Sequence, residues 1–285
     1  MPRPFRSRPL DNFPLTRTSS IDEARDALVR FGATPVLTPG PGVTTLDAVM
    51  NYYPMTDVHL YYRSYGADVR AAFPETGYVL KIIPLRGTGE IVIGNTRMQL
   101  TGGSTAVVSA DMDWQLSSSA DYEHLMLRID AQALSRRLTA MTGASVAESV
   151  RFEGSQDGAT SATRHLIKYV RSLVDTVSAV DAATPLPGWW GRQTEQLLMT
   201  MVLCCNRHNY DHLLKEDPLD AAPAEVREAE DYIAANWRQP INLENLAAIT
   251  GVSVLSLSRS FKKHRGYSPL EFLAQIRSQG GGTPS

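Results

Sequence analysis

Cysteine is scarce here: the chain has two in 285 residues, and they are adjacent, Cys204 and Cys205. Neighbouring residues on a helix cannot easily meet disulfide geometry. No disulfide framework is available, so a reducing cytoplasm is expected. The pair reads as two small buried side chains rather than a redox sensor. An excess of one charge is also missing, since 28 Lys and Arg against 30 Asp and Glu leave a formal −2. Any nucleic-acid contact must therefore be local. No apolar run is long enough to span a membrane. The basic start, Met1 to Pro9, lacks the apolar stretch of a signal peptide. Catalytic signatures are absent too: there is no Gly-x-Ser-x-Gly, Walker loop or Cys-x-x-Cys. The six histidines include no His-x-His in the strand region. His208 and His212 are spaced i, i+4 but carry no His-Glu-x-x-His signature. The chain is expected not to be an enzyme, with no catalytic residue, no cofactor and no metal site.

What is present is concentrated near the end. Asn242 is a good N-cap for a helix over Leu243 to Thr250, with Leu246 and Ile249 facing inward. Gly251 sits where a left-handed backbone ends that helix. Ser253 caps a second helix whose apolar side is Val254, Leu257 and Phe261. Its opposite side carries Leu255, Ser258, Arg259 and Lys262. Arg259 suits guanine, Ser258 several bases and Leu255 a thymine methyl. Lys262, Lys263 and Arg265 suit phosphates. Ser253 and Ser256 complete the expected DNA-binding set at the start of the helix. Ser268-Pro269-Leu270-Glu271 is a capping box that opens a third helix. This spacing predicts a helix-turn-helix with its second helix in the DNA major groove.

In chain order, residues 1–19 are Pro- and Arg-rich and read as a mobile arm. Ser20 to Glu23 is a capping box for a short helix reaching about Phe31. From Ala33 to Ile129 the pattern is strand-like. Its clearest runs are Val58–Arg63, Tyr78–Leu85, Glu90–Ile93 with Thr96–Leu100, Thr105–Ser109, Trp114–Leu116 and Glu123–Arg128. Many short strands with turn glycines predict a small β-barrel or jelly roll. Asp130 caps a helix to Met141. Two longer helices follow, about Ser161 to Val180 and Gly188 to Leu214, forming a helical hairpin. The hairpin is either a dimer interface or cover for the barrel. The fold class is thus α+β, with an all-α helix-turn-helix module after the barrel. Residues 20–216 are expected to form the barrel with its helical hairpin, a domain that could also dimerise, with 217–224 a Pro/Ala/Asp linker, 225–278 the helix-turn-helix module and 279–285 a disordered tail.

The C-terminal stretch resembles the AraC/XylS family of bacterial transcription regulators. The residues that carry this are Tyr232-Ile233, Pro240-Ile241, Leu246-Ala247, Gly251-Val252-Ser253, Leu257 to Phe261 and His264 to Pro269. The strand-rich part, with the helix after Asp130 and Arg207 to Tyr210, is similar to the AraC-binding-like, cupin-type sensor of that family. The resemblance implies a cytoplasmic, ligand-responsive regulator that is usually an activator. It would bind promoter DNA as a homodimer and meet RNA polymerase. Family members carry a second helix-turn-helix beyond a long linker helix. Here the helix from Leu270 to Arg277 leads into a glycine-rich stretch, so a form shortened after its first motif is expected. The alternative is a ligand-binding dimer that no longer binds DNA usefully and titrates a full-length relative.

The effector is expected among His59, Tyr61 and Arg63, on one face of a strand, and Trp114. Lys81 and Arg86 lie on or beside a later strand. An aromatic wall with a cation suits an aromatic carboxylate or a similar acid.

Overall fold

The computed structural model describes residues 8–278 apart from 30–34, 145, 154, 157–159, 181–185 and 216–222. By contact the chain divides into two compact units. The first runs to Asp211, and the second begins at His212 and takes in Met141–Gly143.

The first unit contains, in order, β1 (Pro14–Thr18), α1 (Ile21–Val29), β2 (Val36–Pro39), β3 (Ala48–Pro54), β4 (Val58–Ser64), β5 (Val69–Phe73), β6 (Tyr78–Arg86), β7 (Gly89–Ile93), β8 (Thr96–Leu100), β9 (Thr105–Val108), β10 (Trp114–Ser118), β11 (Glu123–Asp130), α2 (Ala131–Thr142), β12 (Ser155–Gln156), α3 (Ser161–Ser178) and α4 (Gly188–Cys205). The strands form two antiparallel sheets. One has seven strands in the order β1-β3-β4-β11-β6-β9-β12, and the other has five, β2-β5-β10-β7-β8. Leu80, Ile82, Met126, Val69, Phe73, Ile91, Ile93 and Leu116 form one buried core between them. Outward residues of the smaller sheet, such as Arg70, Arg97 and Gln99, are solvated, so its strands alternate apolar-in and polar-out.

The larger sheet is buried on both faces. Leu60, Tyr62, Val79, Ile83, Leu125 and Leu127 lie outside the inter-sheet core and are buried all the same. Helix α4 is tied to that face. The Glu195 carboxylate, itself buried, accepts from the backbone N–H groups of Asp57 at 2.6 Å and Val58 at 3.0 Å. Helix α3 starts on the Thr160 side chain, which accepts from the Thr163 N–H, and buries Leu166, Val170, Leu173 and Val177. These recur at helical spacing and form one apolar stripe.

Two expectations need correction. Of the segment placed in a mobile arm, residues 1–7 lie outside the described residues, and the remainder contains β1, which pairs with β3. Leu10 is 0% exposed, and its N–H donates to Ser178 Oγ at 3.0 Å. Composition suggests disorder there, but Leu10 and Leu15 bury enough apolar surface to order the segment. The second long helix was expected to reach Leu214. It ends at Cys205, with Asn206 in an extended conformation. The Asn206 amide donates to the Val202 carbonyl at 2.6 Å, and beyond it Phe152 and His208 form a β-bridge. Helical pattern resumes only in α5 (Asp211–Lys215). The linker at 217–224 lies largely outside the described residues, and the tail at 279–285 lies wholly outside them.

The second unit holds α6 (Ala224–Asn236), α7 (Leu243–Thr250), α8 (Val254–Arg265) and α9 (Pro269–Ser278). Its ends follow the local chemistry. Asn242 accepts from the Asn245 N–H and Ser253 from the Ser256 N–H. Gly251 and Gly266 are left-handed at φ 69° and 79°. Ser268 and Glu271 make the reciprocal capping box, at 2.6 and 3.3 Å. Val226, Ala229, Ile233, Leu246, Leu257, Phe261, Phe272, Leu273 and Ile276 form one core. Burying Phe261 alone contributes roughly 1.5–3 kcal/mol. Ile249, read as inward, is instead 44% exposed: it sits at the edge of the buried face, where only Leu246 of α7 reaches the core.

The β6–β7 turn offers a test of backbone constraint. Gly87 has φ +68° and a Cβ there would lie 2.6 Å from Tyr122 backbone, whereas Gly77 has φ +70° with open space around it. Gly77→Ala should cost about 1 kcal/mol. Gly87→Ala should lower the melting temperature clearly more, since backbone cannot yield as a side chain can. Equal losses would show that φ alone matters.

Candidate effector cavity and nucleic-acid interface

Between the two sheets lies a cavity of about 40 Å³. Its walls include Tyr61 and Arg63 from β4, Phe73 from β5, Tyr78 and Leu80 from β6, Trp114 from β10, Met126 and Arg128 from β11, and Leu28 from α1. Small-molecule sites usually begin at ~300 Å³, so in this conformation the site is closed. Phe73 and Trp114 stack with ring centroids 4.1 Å apart. The Arg128 guanidinium lies 3.5 Å over the Tyr78 ring and donates to the Tyr61 hydroxyl at 3.3 Å.

Three of the four side chains expected to meet an effector, Tyr61, Arg63 and Trp114, line this cavity. His59 shares their strand but is not among the lining residues. Its Nδ1 is hydrogen-bonded to the Tyr52 hydroxyl at 2.7 Å, and the two rings stack. The two further cations named from the sequence go elsewhere. Arg86 is exposed, 4.0 Å from Glu123. Lys81 points to the helical face of the sheet, where its Nζ donates to Thr105 Oγ1 at 2.8 Å and Asn206 Oδ1 at 2.6 Å. The cation that sequence reading missed is Arg128. Its signal was alternation with Met126 along β11. Only the antiparallel register, which sets Met126 opposite Tyr61, brings that face to the cavity.

Burial sets the proton equilibria here. Desolvation holds Lys81 down to about 7, against a small opposing effect of Cys205. His124, buried in the barrel beside Tyr122, is held down to about 3 by desolvation and then by Arg63. Burial raises Tyr61, although Arg128 works against it. Cys205 is raised by burial, so it stays a thiol. Among the described residues no group of three or more His, Cys, Asp or Glu is placed to hold a metal ion.

In the second unit, α8 is two-sided. Leu257 and Phe261 are 0% exposed. Ser256, Arg259, Lys262 and Lys263 are exposed, Ser258 is half-buried, and Leu255 is 60% exposed. Ser253, Leu255, Ser256, Arg259 and Lys263 line an open depression of about 430 Å³. Arg265, expected to be free for phosphate, is instead bound inside the module. It pairs with Glu230 in bidentate fashion at 2.6 and 2.7 Å. Ser260 donates to Glu225 at 3.2 Å. These two contacts brace α8 against α6. Among the described residues no helix is long and apolar enough to cross a membrane.

Residues 24–203 match the AraC-binding-like domain. The chain belongs to the AraC family of regulators with this cupin-type sensor. It is 30% identical over 200 residues to a probable thc operon regulatory protein of Rhodococcus erythropolis, covering 69% of this chain and 60% of that relative. The chain thus spans about 60% of the length of the curated relative it matches. Among solved structures it is similar to the AraC-like transcriptional activator CuxR, at 11% identity and TM-score 0.49, covering 93% of this chain and 94% of that one. It is also similar to the cupin domain of Schizosaccharomyces pombe Cnp3, at 14% identity and TM-score 0.27, over 34% of this chain and 76% of that one.

The buried bases give a pH test. A base whose proton affinity drops on folding makes the unfolded chain bind more protons between its two pKa values. Stability then rises with pH across that window. For Lys81 the window is about 7 to 10.5; for His124 it is about 3 to 6.5. The melting temperature of the unaltered chain relative to that of Lys81→Met should climb from pH 7 to 10.5, with the acid limb the same in both. A difference that stays flat would exclude Lys81 as its source.

Proposed function

We propose that this protein is a ligand-responsive transcription regulator that binds double-stranded promoter DNA through α8. The observation that carries the reading is the division of that helix. Its oily flank is locked into the module core, while Arg259, Lys262 and Lys263 stand in solvent with an exposed leucine among them. A helix of this make-up can enter a major groove. Arg259 reads guanine, Ser258 bonds base edges, Leu255 covers a thymine methyl, and Lys262 and Lys263 meet phosphates. Ser253 and Ser256, at the helix start, approach the backbone of the duplex.

The sensor acts by binding an effector between its sheets, which changes the affinity of the second unit for DNA. The protein works by binding rather than catalysis, in the cytoplasm, and activates transcription in concert with RNA polymerase. It does so as a homodimer joined through α4, whose outward face exposes Trp189, Leu197 and Cys204.

A titration of labelled promoter duplex by fluorescence anisotropy tests the DNA contact. Arg259→Ala should cost ~1–3 kcal/mol and relax preference at one base pair. Lys263→Ala should weaken all sequences alike and lower the salt slope by about one. Binding that is indifferent to both changes would sink the assignment of α8 as the reading helix.

A further inference from the structure

We propose that the inter-sheet cavity of the sensor is a site for a small aromatic monocarboxylate, anchored by Arg63, Arg128 and the Trp114 indole N–H. This rests on the effector reading above and gives that effector its chemistry.

Charge is the first observation. Two guanidiniums line one cavity. The groups facing them are Tyr61, Tyr65, Tyr78, Phe73, His59 and His124. None of these is a carboxylate, and among the described residues neither arginine forms a salt bridge. A guanidinium cannot shed its proton at ordinary pH. Buried positive charge without a counter-ion is unfavourable, and the histidine beside it is already neutral. Among the described residues that charge has no counter-ion, and an anion bound in the cavity would supply one.

Unmet donors are the second. Arg63 is 6% exposed and Trp114 3% exposed. The Nε atoms of Arg63 and Arg128 and the Nε1 of Trp114 are buried with no hydrogen-bond acceptor. Buried donors in folded proteins are overwhelmingly paired. Three such donors around one cavity form a receptor for acceptor oxygens, and a carboxylate presents two in the plane that a guanidinium matches.

The remaining walls choose the rest of the molecule. Leu28, Phe73, Tyr78, Leu80, Trp114 and Met126 offer aromatic and aliphatic surface. Such walls reject a strongly hydrated phosphate and favour a flat ring. The Arg128 guanidinium now occupies the Tyr78 face and helps to keep the cavity small. On binding, the ligand ring takes that face and Arg128 turns onto the carboxylate, exchanging a cation–π contact for a charge-assisted pair. The small cavity must widen to admit such a ligand.

Calorimetric titration of the full chain decides the matter with benzoate and phenylacetate as probes. Benzamide supplies the ring without the charge, acetate the charge without the ring, and phenyl phosphate a different anion. Saturable binding of either acid is expected, with benzamide and acetate each at least about tenfold weaker, about 1.4 kcal/mol. Arg63→Gln should erase the preference for acid over amide, weakening the acids much more than benzamide. Equal affinity for benzoate and benzamide would overturn the charge claim, and equal affinity for acetate the aromatic claim. Tighter phenyl phosphate would overturn the carboxylate, and no saturation by either acid the site itself. Should Arg63→Gln fail to fold, the acid–amide comparison on the unaltered chain still decides. Acid binding with no DNA binding would sink the regulator reading alone. DNA binding that responds to a neutral effector but not to either acid would sink the ligand class alone.

Discussion

Side-chain alternation along three adjacent strands, β4, β11 and β6, is the constraint on which the sensor depends. Each strand in an antiparallel ladder must turn successive residues to opposite faces. Here both faces are buried, so each strand serves two environments at once. On β4, Tyr61 and Arg63 face the cavity while Leu60 and Tyr62 face away. On β6, Leu80 lines the cavity and Lys81 reaches Asn206 on the other side. A slip of one residue would exchange the two sets, putting Lys81 in the barrel and Arg63 among the helices. The register is held by the matched apolar area on both sides.

That arrangement also joins the cavity to α4 through backbone rather than through a chain of loose contacts. The strand that carries Tyr61 and Arg63 begins where Glu195 accepts from Asp57 and Val58. The strand that carries Tyr78 and Leu80 also carries Lys81, bound to the residue that ends α4. A carboxylate buried on two backbone donors, and an ammonium buried on two neutral oxygens, are costly to leave unpaired. These ties fix both strands to α4.

The second unit is held together differently. Its helices are short, so their ends dominate. Most of those ends are closed by residues three or four positions away: Asn242 on Asn245, Ser253 on Ser256, Ser268 on Glu271. With the ends satisfied, a modest core aligns the helices, and the Arg265–Glu230 pair fixes α8 to α6. Arg259, Lys262 and Lys263 remain exposed on the other side of α8.

The caps, the turn glycines and the two-sided pattern of α8 were legible in the residues themselves, because each depends on partners within one or two turns of helix. The individual strands and the apolar stripe of α3 were legible for the same reason. Tertiary structure alone decided which cation faces the cavity. Arg128 and Lys81 both alternate correctly along their strands, and only the pairing of β11 with β4 and β6 assigns an inside and an outside. It alone also drew the supposed arm into β1, ended α4 at Asn206, and engaged Arg265 internally. Each of those outcomes turns on a partner tens of residues away or more, and no local period encodes a contact whose two halves meet only after the chain has folded.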